Sequence, residues 1–389
     1  MEEIYFDNSA TTRVCDEAVK AAVMVMQDHF GNPSSVHHKG SETFHNLNNA
    51  RDIFAKYLNV SGDEIYFTSG GTESNNTVLF GATQQKKAQR IIVSSIEHPS
   101  VMQPAKYLQN KGCDVCFLPV NEQGIVRLDI LEDMINEQTS LVSIMHVNNE
   151  TGTVQPLYEI GQLIRKKAPQ AVFHIDGVQS FGRIPVSLRL WQADAYSASA
   201  HKIHACKGSG LLWVKKGTGI LPLLQGGGQE KGFRSGTENI PGIMAFAVAA
   251  EIACSKMDDY AVLMNEVKTR LTQSLMDRLP DVFVNGQDLA DAAPHIVNLS
   301  FLGVRSEVLL HYLEEHGIYV SAGSACNSRS SKGSPILQEM GLSNDRVDSA
   351  LRFSFSRYNT VRQVDLAVDS IVSSVEEIRS IMSRKKRRR

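Results

Sequence analysis

"EIYFTSGGTESNN", residues Glu64 to Asn76, is the stretch from which the fold of this chain is read most directly. Its first six residues have the apolar and aromatic character of a strand. The next two, Gly70 and Gly71, let the backbone close in on itself, and the residues after them predict a helix whose first N–H groups face an anion. Strand, glycine turn and helix in this order make one half of a strand–helix–strand unit.

The same order recurs between about Glu64 and Val214, where short apolar runs alternate with amphipathic stretches. Such alternation predicts a mostly parallel sheet with helices on both faces, so we expect an α/β fold. The expected strands are "EIYFTS", "RIIVSS", "DVCFLPV", "LVSIMHV", "AVFHID", "AYSASA" and "GLLWVKK".

Composition limits the class of protein. The chain has 389 residues, which favours two domains, and its net charge of −2 gives no field that would attract nucleic acid or an anionic membrane. Six unevenly spaced cysteines do not form a disulfide framework. The acidic start "MEEIYFDNSA" is unlike a signal peptide, and the apolar run Ile243–Ala253 is too short for a membrane span. We therefore expect a cytoplasmic protein without a membrane partner.

The C-terminal part has a different pattern. A helical stretch from about Ile243 to Leu279 precedes three further strands, an intervening helix and a final helix from about Thr360, which predicts a smaller α+β domain. This part contains "SAGSACNSRSSKGS", a polar loop that carries Cys326. Residues 381–389 are strongly basic, and we expect a disordered tail, with nucleic-acid contact or a localisation signal as the alternatives.

Polar side chains follow four strands of the expected sheet. They are His98, Asn148 with Asn149, Asp176 with Gln179, and the group Ser199, His201 and Lys202. The carboxyl ends of parallel strands are where such sheets bind ligands. Pyridoxal phosphate needs an amine for an imine, a carboxylate for its ring nitrogen and a cradle for its phosphate. Lys202, Asp176 and the Gly70–Thr72 turn supply all three.

The chain also resembles a known family in a series of motifs that runs in order through nearly its whole length. It is similar to the cysteine desulfurases of the NifS/IscS type, in the class V aminotransferase branch of the fold type I pyridoxal-phosphate enzymes. The motifs are "YFDNSATT", "FGNPSSVH", "FTSGGTESNN", "EHPSV", "HVNNETGTVQP", "HIDGVQS", "SASAHK", "GGGQEKGFRSGTENI", "SAGSAC" and "LRFSFSR".

The resemblance implies an architecture. Residues 12–255 would form a large pyridoxal-phosphate domain with a seven-stranded sheet. Residues 1–11 and 256–380 would form a small domain that carries the cysteine loop, about 321–341. Two subunits would pair as a homodimer with composite active sites.

The resemblance also implies a role for each candidate site residue. Lys202 would form the imine and move the substrate α-proton, His98 would stack on the ring and serve as an acid or base, and Asp176 would pair with the ring nitrogen. The phenolic oxygen of the cofactor would contact Asn149 and Gln179. The cofactor phosphate would contact Gly71, Thr72, Ser199, His201 and the neighbouring subunit's Thr237. The substrate carboxylate would contact Asn32 and Arg352.

The same resemblance explains a cysteine on a polar loop. If L-cysteine is the substrate, the Cys326 thiolate would take its sulfur as a persulfide and leave L-alanine. A loop of small polar residues suits a carrier that must then meet an acceptor. The loop length resembles desulfurases that supply iron–sulfur assembly or tRNA thiolation, so a sulfur-acceptor protein is the expected partner.

Two alternatives remain open at this stage: a selenocysteine lyase on the same scaffold, and a non-catalytic sulfur-transfer scaffold. One departure from the family is Ala205–Cys206, where Gly-Pro is usual. We expect no resident metal, because the "CDVC" pair has no second pair and Cys326 would meet an acceptor's iron–sulfur cluster only transiently.

Overall fold

The computed structural model describes residues 3–83, 90–323 and 333–387, without the side chains of residues 384–387. Cys326 lies outside the described residues. The helices are α1 (Asp16–Gln27), α2 (His38–Leu58), α3 (Gly71–Gly81), α4 (Pro99–Asn110), α5 (Leu128–Met134), α6 (Leu157–Lys167), α7 (Ile240–Ser255), α8 (Met257–Arg278), α9 (Ser306–Glu315), α10 (Pro335–Glu339), α11 (Asn344–Asp348) and α12 (Val361–Arg387). The strands are β1 (Ile4–Tyr5), β2 (Ile65–Thr68), β3 (Arg90–Ser94), β4 (Asp114–Leu118), β5 (Thr139–Met145), β6 (Val172–Asp176), β7 (Ala195–Ser199), β8 (Gly210–Val214), β9 (Val282–Asn285), β10 (Ile296–Phe301), β11 (Ile318–Tyr319) and β12 (Ala350–Ser354).

All seven strands expected between residues 64 and 214 form one sheet, in the order β2-β8-β7-β6-β5-β3-β4. Strands β3 to β7 run parallel to one another, whereas β8 runs antiparallel to both of its neighbours, β2 and β7. Every residue of β5, β6, β7 and β8 is buried, because helices cover both faces of the sheet. The predicted α/β fold with a mostly parallel seven-stranded sheet is therefore confirmed.

A second core is built around a three-stranded sheet in the order β12-β10-β9. It gathers apolar side chains from α8, α9 and α12, and it also contains Ile4 and Phe6 from the N-terminus. Strand β1 pairs in parallel with β11, which joins the first residues of the chain to its C-terminal part. The domain boundaries named from the sequence stay predictions.

The helical stretch expected from Ile243 to Leu279 is two helices. It breaks at Lys256, whose backbone (φ −121°, ψ 23°) leaves the helical region, and α7 and α8 meet at a bend of 75°. The break has a packing cause: α7 buries alanines against the core of the large sheet, whereas α8 packs into the second core. In the described part of the chain, no single helix is long and apolar enough to cross a membrane. The bent pair α7–α8 has the required length and composition only when the two helices are taken together.

Two further expectations need correction. The stretch 321–341 is not loop throughout, since Pro335–Glu339 forms α10 and buries Ile336 and Leu337. The expected disordered tail is wrong for residues 381–387, which continue α12. These residues contain neither Gly nor Pro, the two residues least favourable in a helix interior.

Candidate active site

Four adjacent strands, in the order β7-β6-β5-β3, run parallel, so their carboxyl ends lie side by side. The polar residues that follow these strands surround one cavity of about 250 Å³. Its lining includes ten of the predicted site residues: Gly71, Thr72, His98, Asn149, Asp176, Gln179, Ser199, His201, Lys202 and Arg352. The cavity thus brings together predicted site residues that are up to 281 positions apart in sequence, from Gly71 at the start of α3 to Arg352 on β12 of the second sheet.

The turn before α3 comes very close to its neighbours. Gly210 opens β8 directly beside this turn, and a Cβ there would lie 2.5 Å from Gly70 Cα. A Cβ on Gly71 would likewise lie 2.5 Å from Val178 Cγ2. Glycine at these positions lets the N-terminus of α3 reach the cavity, with Ser199 at the end of β7 next to it. An exposed first turn with free N–H groups is a binding site for a phosphate.

Asp176 is held rigidly at the end of β6. Its Oδ1 accepts a hydrogen bond from the backbone N–H of Val178 (3.0 Å), and its Oδ2 accepts one from Asn75 Nδ2 (2.7 Å). The residue is only 5% exposed. Asn75 also donates to Ser100 Oγ over 2.8 Å, which connects Asp176 to the segment that carries His98.

His98 is the N-cap of α4, and its ring Nδ1 accepts from the backbone N–H of Ser100 (3.1 Å). Ser100 Oγ lies 2.8 Å from the same nitrogen, and because Asn75 donates to that hydroxyl, its own hydrogen points at His98. With two donors on Nδ1, the neutral ring carries its proton on Nε2. Burial lowers the pKa of His98, Asp176 opposes this effect, and Lys202 adds to it. His98 is therefore a neutral imidazole at the cavity wall.

Lys202 lies directly after β7, and its Nζ donates to the backbone carbonyls of Ser9 and of Ala10, the latter over 2.9 Å. Gln179 Nε2 donates to the same Ser9 carbonyl over 3.0 Å. Burial, and secondarily Lys202, lowers the pKa of His201 to about 4, so that ring is neutral as well. The N-terminal turn, residues 7–10, thus forms one wall of the cavity.

Arg352 is the cavity's guanidinium and is 2% exposed. Its Nη1 donates to the Asn149 carbonyl (2.8 Å) and its Nη2 to Asp7 Oδ1 (2.7 Å). Arg352 Nε and Asn149 Oδ1 are buried and have no hydrogen-bond partner among the described residues. Two unsatisfied polar atoms of opposite character at one cavity indicate that a polar ligand completes their hydrogen bonds.

Two predicted site residues lie elsewhere, and a third is outside the described residues. Asn32 does not line the cavity, and its Oδ1 accepts from the backbone N–H of Ser34 (2.9 Å). Thr237 lies in a separate small cavity beside Arg234 and Gly208. Cys326 falls outside the described residues, although Gly323 and Ser334 on either side of its segment are described.

Sequence reasoning did not find several residues that hold this site together. Asn75 and Ser100 lie inside the motifs "FTSGGTESNN" and "EHPSV", but the sequence predicts no role for either residue. Asp7, in "YFDNSATT", likewise has no role that the sequence predicts. Ser100 is two residues from His98 and Asn75 is three residues from Thr72, but nearness in sequence does not identify a hydrogen-bond partner before the fold is known.

Comparison with known proteins agrees with this geometry. The family described as "Aminotransferase class-V" matches residues 4–366. A cysteine desulfurase from a Nostoc species is 39% identical over 382 residues, covering 98% of this chain and 95% of that protein. Cysteine desulfurase IscS 1 of Archaeoglobus fulgidus is 38% identical over 379 residues, covering 97% and 98%.

Solved structures give the same result. A structure described as a NifS-like protein superposes with a TM-score of 0.91 at 38% identity, covering 96% of this chain and 100% of that one. The structure described as SspA in complex with cysteine gives a TM-score of 0.79 at 30% identity, with 92% and 100% coverage. The chain belongs to the class-V aminotransferase family. Within that family, the relatives named here are similar to it along almost their entire length, and the curated ones are cysteine desulfurases.

Proposed function

We propose that this protein is a pyridoxal-phosphate-dependent cysteine desulfurase. It converts L-cysteine and the Cys326 thiol to L-alanine and a Cys326 persulfide. The observation that carries the proposal is the meeting, in one cavity, of the Lys202 amine, the Asp176 carboxylate and the N-terminus of α3. The near full-length similarity to cysteine desulfurases supports the choice of reaction.

The residues present fit the cofactor. Asn149 Oδ1 and Arg352 Nε are buried polar atoms without a hydrogen-bond partner among the described residues. Gly71 has no room for a side chain, because a Cβ there would collide with Val178. Gly71, Thr72, Ser199 and His201 would hold the phosphate, Asp176 the ring nitrogen, and Asn149 with Gln179 the phenolic oxygen. Bound there, pyridoxal phosphate supplies an aldehyde for Lys202 and an electron-accepting ring.

The chain's own side chains then have distinct tasks. Arg352 binds the substrate carboxylate, for which a planar guanidinium is well suited. Lys202 moves the proton at the substrate α-carbon. The group that carries this proton is its side-chain amine, which in this structure donates to the carbonyls of Ser9 and Ala10. His98, neutral with its proton on Nε2, would stack on the cofactor ring and would serve as a proton donor or acceptor.

The sulfur leaves by transfer between sulfur atoms. The Cys326 thiolate attacks the substrate sulfur, the carbon–sulfur bond breaks, and a proton replaces sulfur on the substrate's β-carbon. The products are alanine and a Cys326 persulfide, so atoms and electrons balance without an added oxidant or reductant. The persulfide is then passed to an acceptor protein for iron–sulfur cluster assembly or tRNA thiolation.

We further propose a homodimer in which each Thr237 reaches the phosphate of the other subunit. This accounts for a residue of a family motif that lies outside its own chain's cavity. It also accounts for large apolar side chains exposed on and after α1, namely Met24, Met26, Phe30 and Val36, which a second copy would cover.

The test uses purified protein loaded with pyridoxal phosphate. The holoprotein should absorb in the visible, Lys202→Ala should lose the covalent chromophore, and Cys326→Ser should keep the chromophore but release no sulfur from cysteine. Full activity of Cys326→Ser with cysteine would reject the persulfide step, and activity with selenocysteine alone would point to a selenocysteine lyase. A chain that does not bind the cofactor at all would be a non-catalytic scaffold.

A further inference from the structure

Glu97 is a buried carboxyl group that none of the steps above uses. It precedes His98 in the connection between β3 and α4 and is 4% exposed. Its Oε1 accepts from Ser94 Oγ (2.5 Å) and from the backbone N–H of Met145 (2.8 Å). Its Oε2 is buried and has no hydrogen-bond partner in the described part of the chain.

These contacts join two strands at the edge of the cavity. Ser94 ends β3, whereas Met145 ends β5 and lines the cavity itself. Next to Glu97, the carbonyl of Ile96 accepts from Asn148 Nδ2 over 3.2 Å. The segment 96–97 therefore fixes the start of the His98 turn against the start of the loop that carries Asn149.

The charges around Glu97 do not favour a carboxylate. No ion pair among the described residues includes Glu97, and Asp176, from the end of β6, adds a second negative charge nearby. Other charged groups line a neighbouring cavity with Glu97: Lys106 from α4, Glu150 from the loop after β5 and Glu339 from α10. Burial, with Asp176 as a further cause, raises the pKa of Glu97 to about 8.

The arrangement of hydrogen bonds also indicates that Glu97 is a neutral acid. A carboxylate shares its charge over both oxygens, and each buried oxygen then needs donors. Here both donors meet one oxygen, as they would meet the carbonyl oxygen of a neutral acid, and the other oxygen is free to carry the proton.

We propose that Glu97 acts as a neutral carboxylic acid that positions His98 and the Asn149 loop by tying β3 to β5. It is a positioning residue, since its Oε1 accepts from Ser94 and Met145 and Glu97 does not line the cavity that contains Lys202. The inference rests on the proposed function for its catalytic consequence, but the protonation state of Glu97 is measurable in the holoprotein whatever reaction the protein catalyses.

The first test is infrared difference spectroscopy of the holoprotein against Glu97→Gln. At pH 6.5 the wild type should show the C=O stretch of a protonated carboxyl that Glu97→Gln lacks, and this band should disappear as the pH passes about 8. Absence of the band at pH 6.5 would overturn the proposal. Glu315→Gln, which removes an exposed glutamate on α9, should leave the band in place.

The second test is thermal unfolding as a function of pH. The folded pKa of Glu97 lies above its unfolded value, so the stability due to its proton is complete below about pH 4.5 and is lost as pH rises to about 8. Across this window, the melting temperature of the wild type should fall relative to Glu97→Gln by about 1 to 2 °C per pH unit and level off above it. Parallel curves would contradict a neutral Glu97.

The third test separates positioning from bulk stability. Glutamine keeps an acceptor oxygen for Ser94 and Met145, whereas alanine removes it. Desulfurase activity at pH 7 should therefore be at least about tenfold higher in Glu97→Gln than in Glu97→Ala. Equal activities would reject the positioning role. If neither variant nor wild type has desulfurase activity, the proposed function fails while the infrared and thermal results still decide the state of Glu97.

Discussion

Arg352 Nη2 donates to Asp7 Oδ1 over 2.7 Å, so the guanidinium expected to bind substrate is already paired with a carboxylate from the N-terminal turn. Asp7 and the Asn149 carbonyl fix the plane of Arg352 and leave its Nε without a described partner. The pairing both orients the guanidinium and reduces its attraction for anions. If Arg352 binds the substrate carboxylate as proposed, Asp7 should set how strongly it does so.

The first prediction concerns Asp7. Asp7→Asn keeps an acceptor for Arg352 but removes the negative charge, so carboxylate binding should strengthen and KM for L-cysteine should fall by about threefold. Asp7→Ala removes the acceptor too, and misplacement of Arg352 should lower kcat/KM by about tenfold or more. Steady-state kinetics measures both. An unchanged kcat/KM in Asp7→Ala would show that Arg352 is oriented without it.

The second prediction concerns Asn75, which joins Asp176 to Ser100. Asn75→Asp would place a second carboxylate within hydrogen-bond distance of Asp176, and one of the pair would take up a proton. The affinity for pyridoxal phosphate should then fall by about tenfold or more, as measured by fluorescence titration of the protein freed of cofactor. Thr83→Ala, just beyond the C-terminal end of α3, serves as a control and should bind normally.

The third prediction concerns the buried ion pair of Arg51 and Glu230. Two guanidinium nitrogens of Arg51 meet the two Glu230 oxygens at 2.8 and 2.6 Å, with the side chains 6% and 1% exposed. Removing either partner alone, as in Arg51→Met or Glu230→Gln, should lower the free energy of unfolding by about 3 to 5 kcal/mol because a buried charge is left unpaired.

The double variant of this pair should be less destabilised than the sum of the single variants. Chemical denaturation of all four proteins gives the coupling. A coupling near zero would mean that the two charges do not compensate each other. Since Glu230 opens the segment that leads to Thr237, the single variants should also weaken dimer formation, which sedimentation would detect.

The fourth prediction concerns Lys268, a buried lysine of α8 whose Nζ donates to the carbonyls of Leu289 (2.8 Å), Ala292 and Ala293 (both 3.2 Å). Burial lowers its pKa to about 8. Between pH 8 and 10.5 the unfolded chain binds more protons than the folded one, so stability should rise with pH in that window.

The comparison for Lys268 is Lys268→Met, relative to which the wild type should gain about 1 to 3 kcal/mol from pH 8 to 10.5. Lys20→Met, at an exposed position of α1, should follow the wild type. A constant difference between wild type and Lys268→Met would mean that Lys268 stays charged throughout. The window lies above that of Glu97, so the two titrations can be told apart.

The sequence allowed a good prediction of the cavity because its residues follow strands. The apolar runs before these residues clearly predict strands. Asp176 and Ser199 end two of these strands, and the turns with His98 and Asn149 follow two others. Parallel strands place their carboxyl ends together, so these residues are expected to meet. The break at Lys256 was not predictable, since helix propensity is similar on both sides and only the change of core explains it. Glu97 and Asp7 were missed because their partners, Met145 and Arg352, are distant in sequence.

The N-terminal turn has a consequence for the order in which the protein folds. Asp7, Ser9 and Ala10 are hydrogen-bonded to residues that lie 345, 193 and 192 positions further along the chain. Contacts between residues so distant in sequence close long loops and form slowly. We therefore expect this wall of the cavity to be among the last parts of the site to form when the chain refolds.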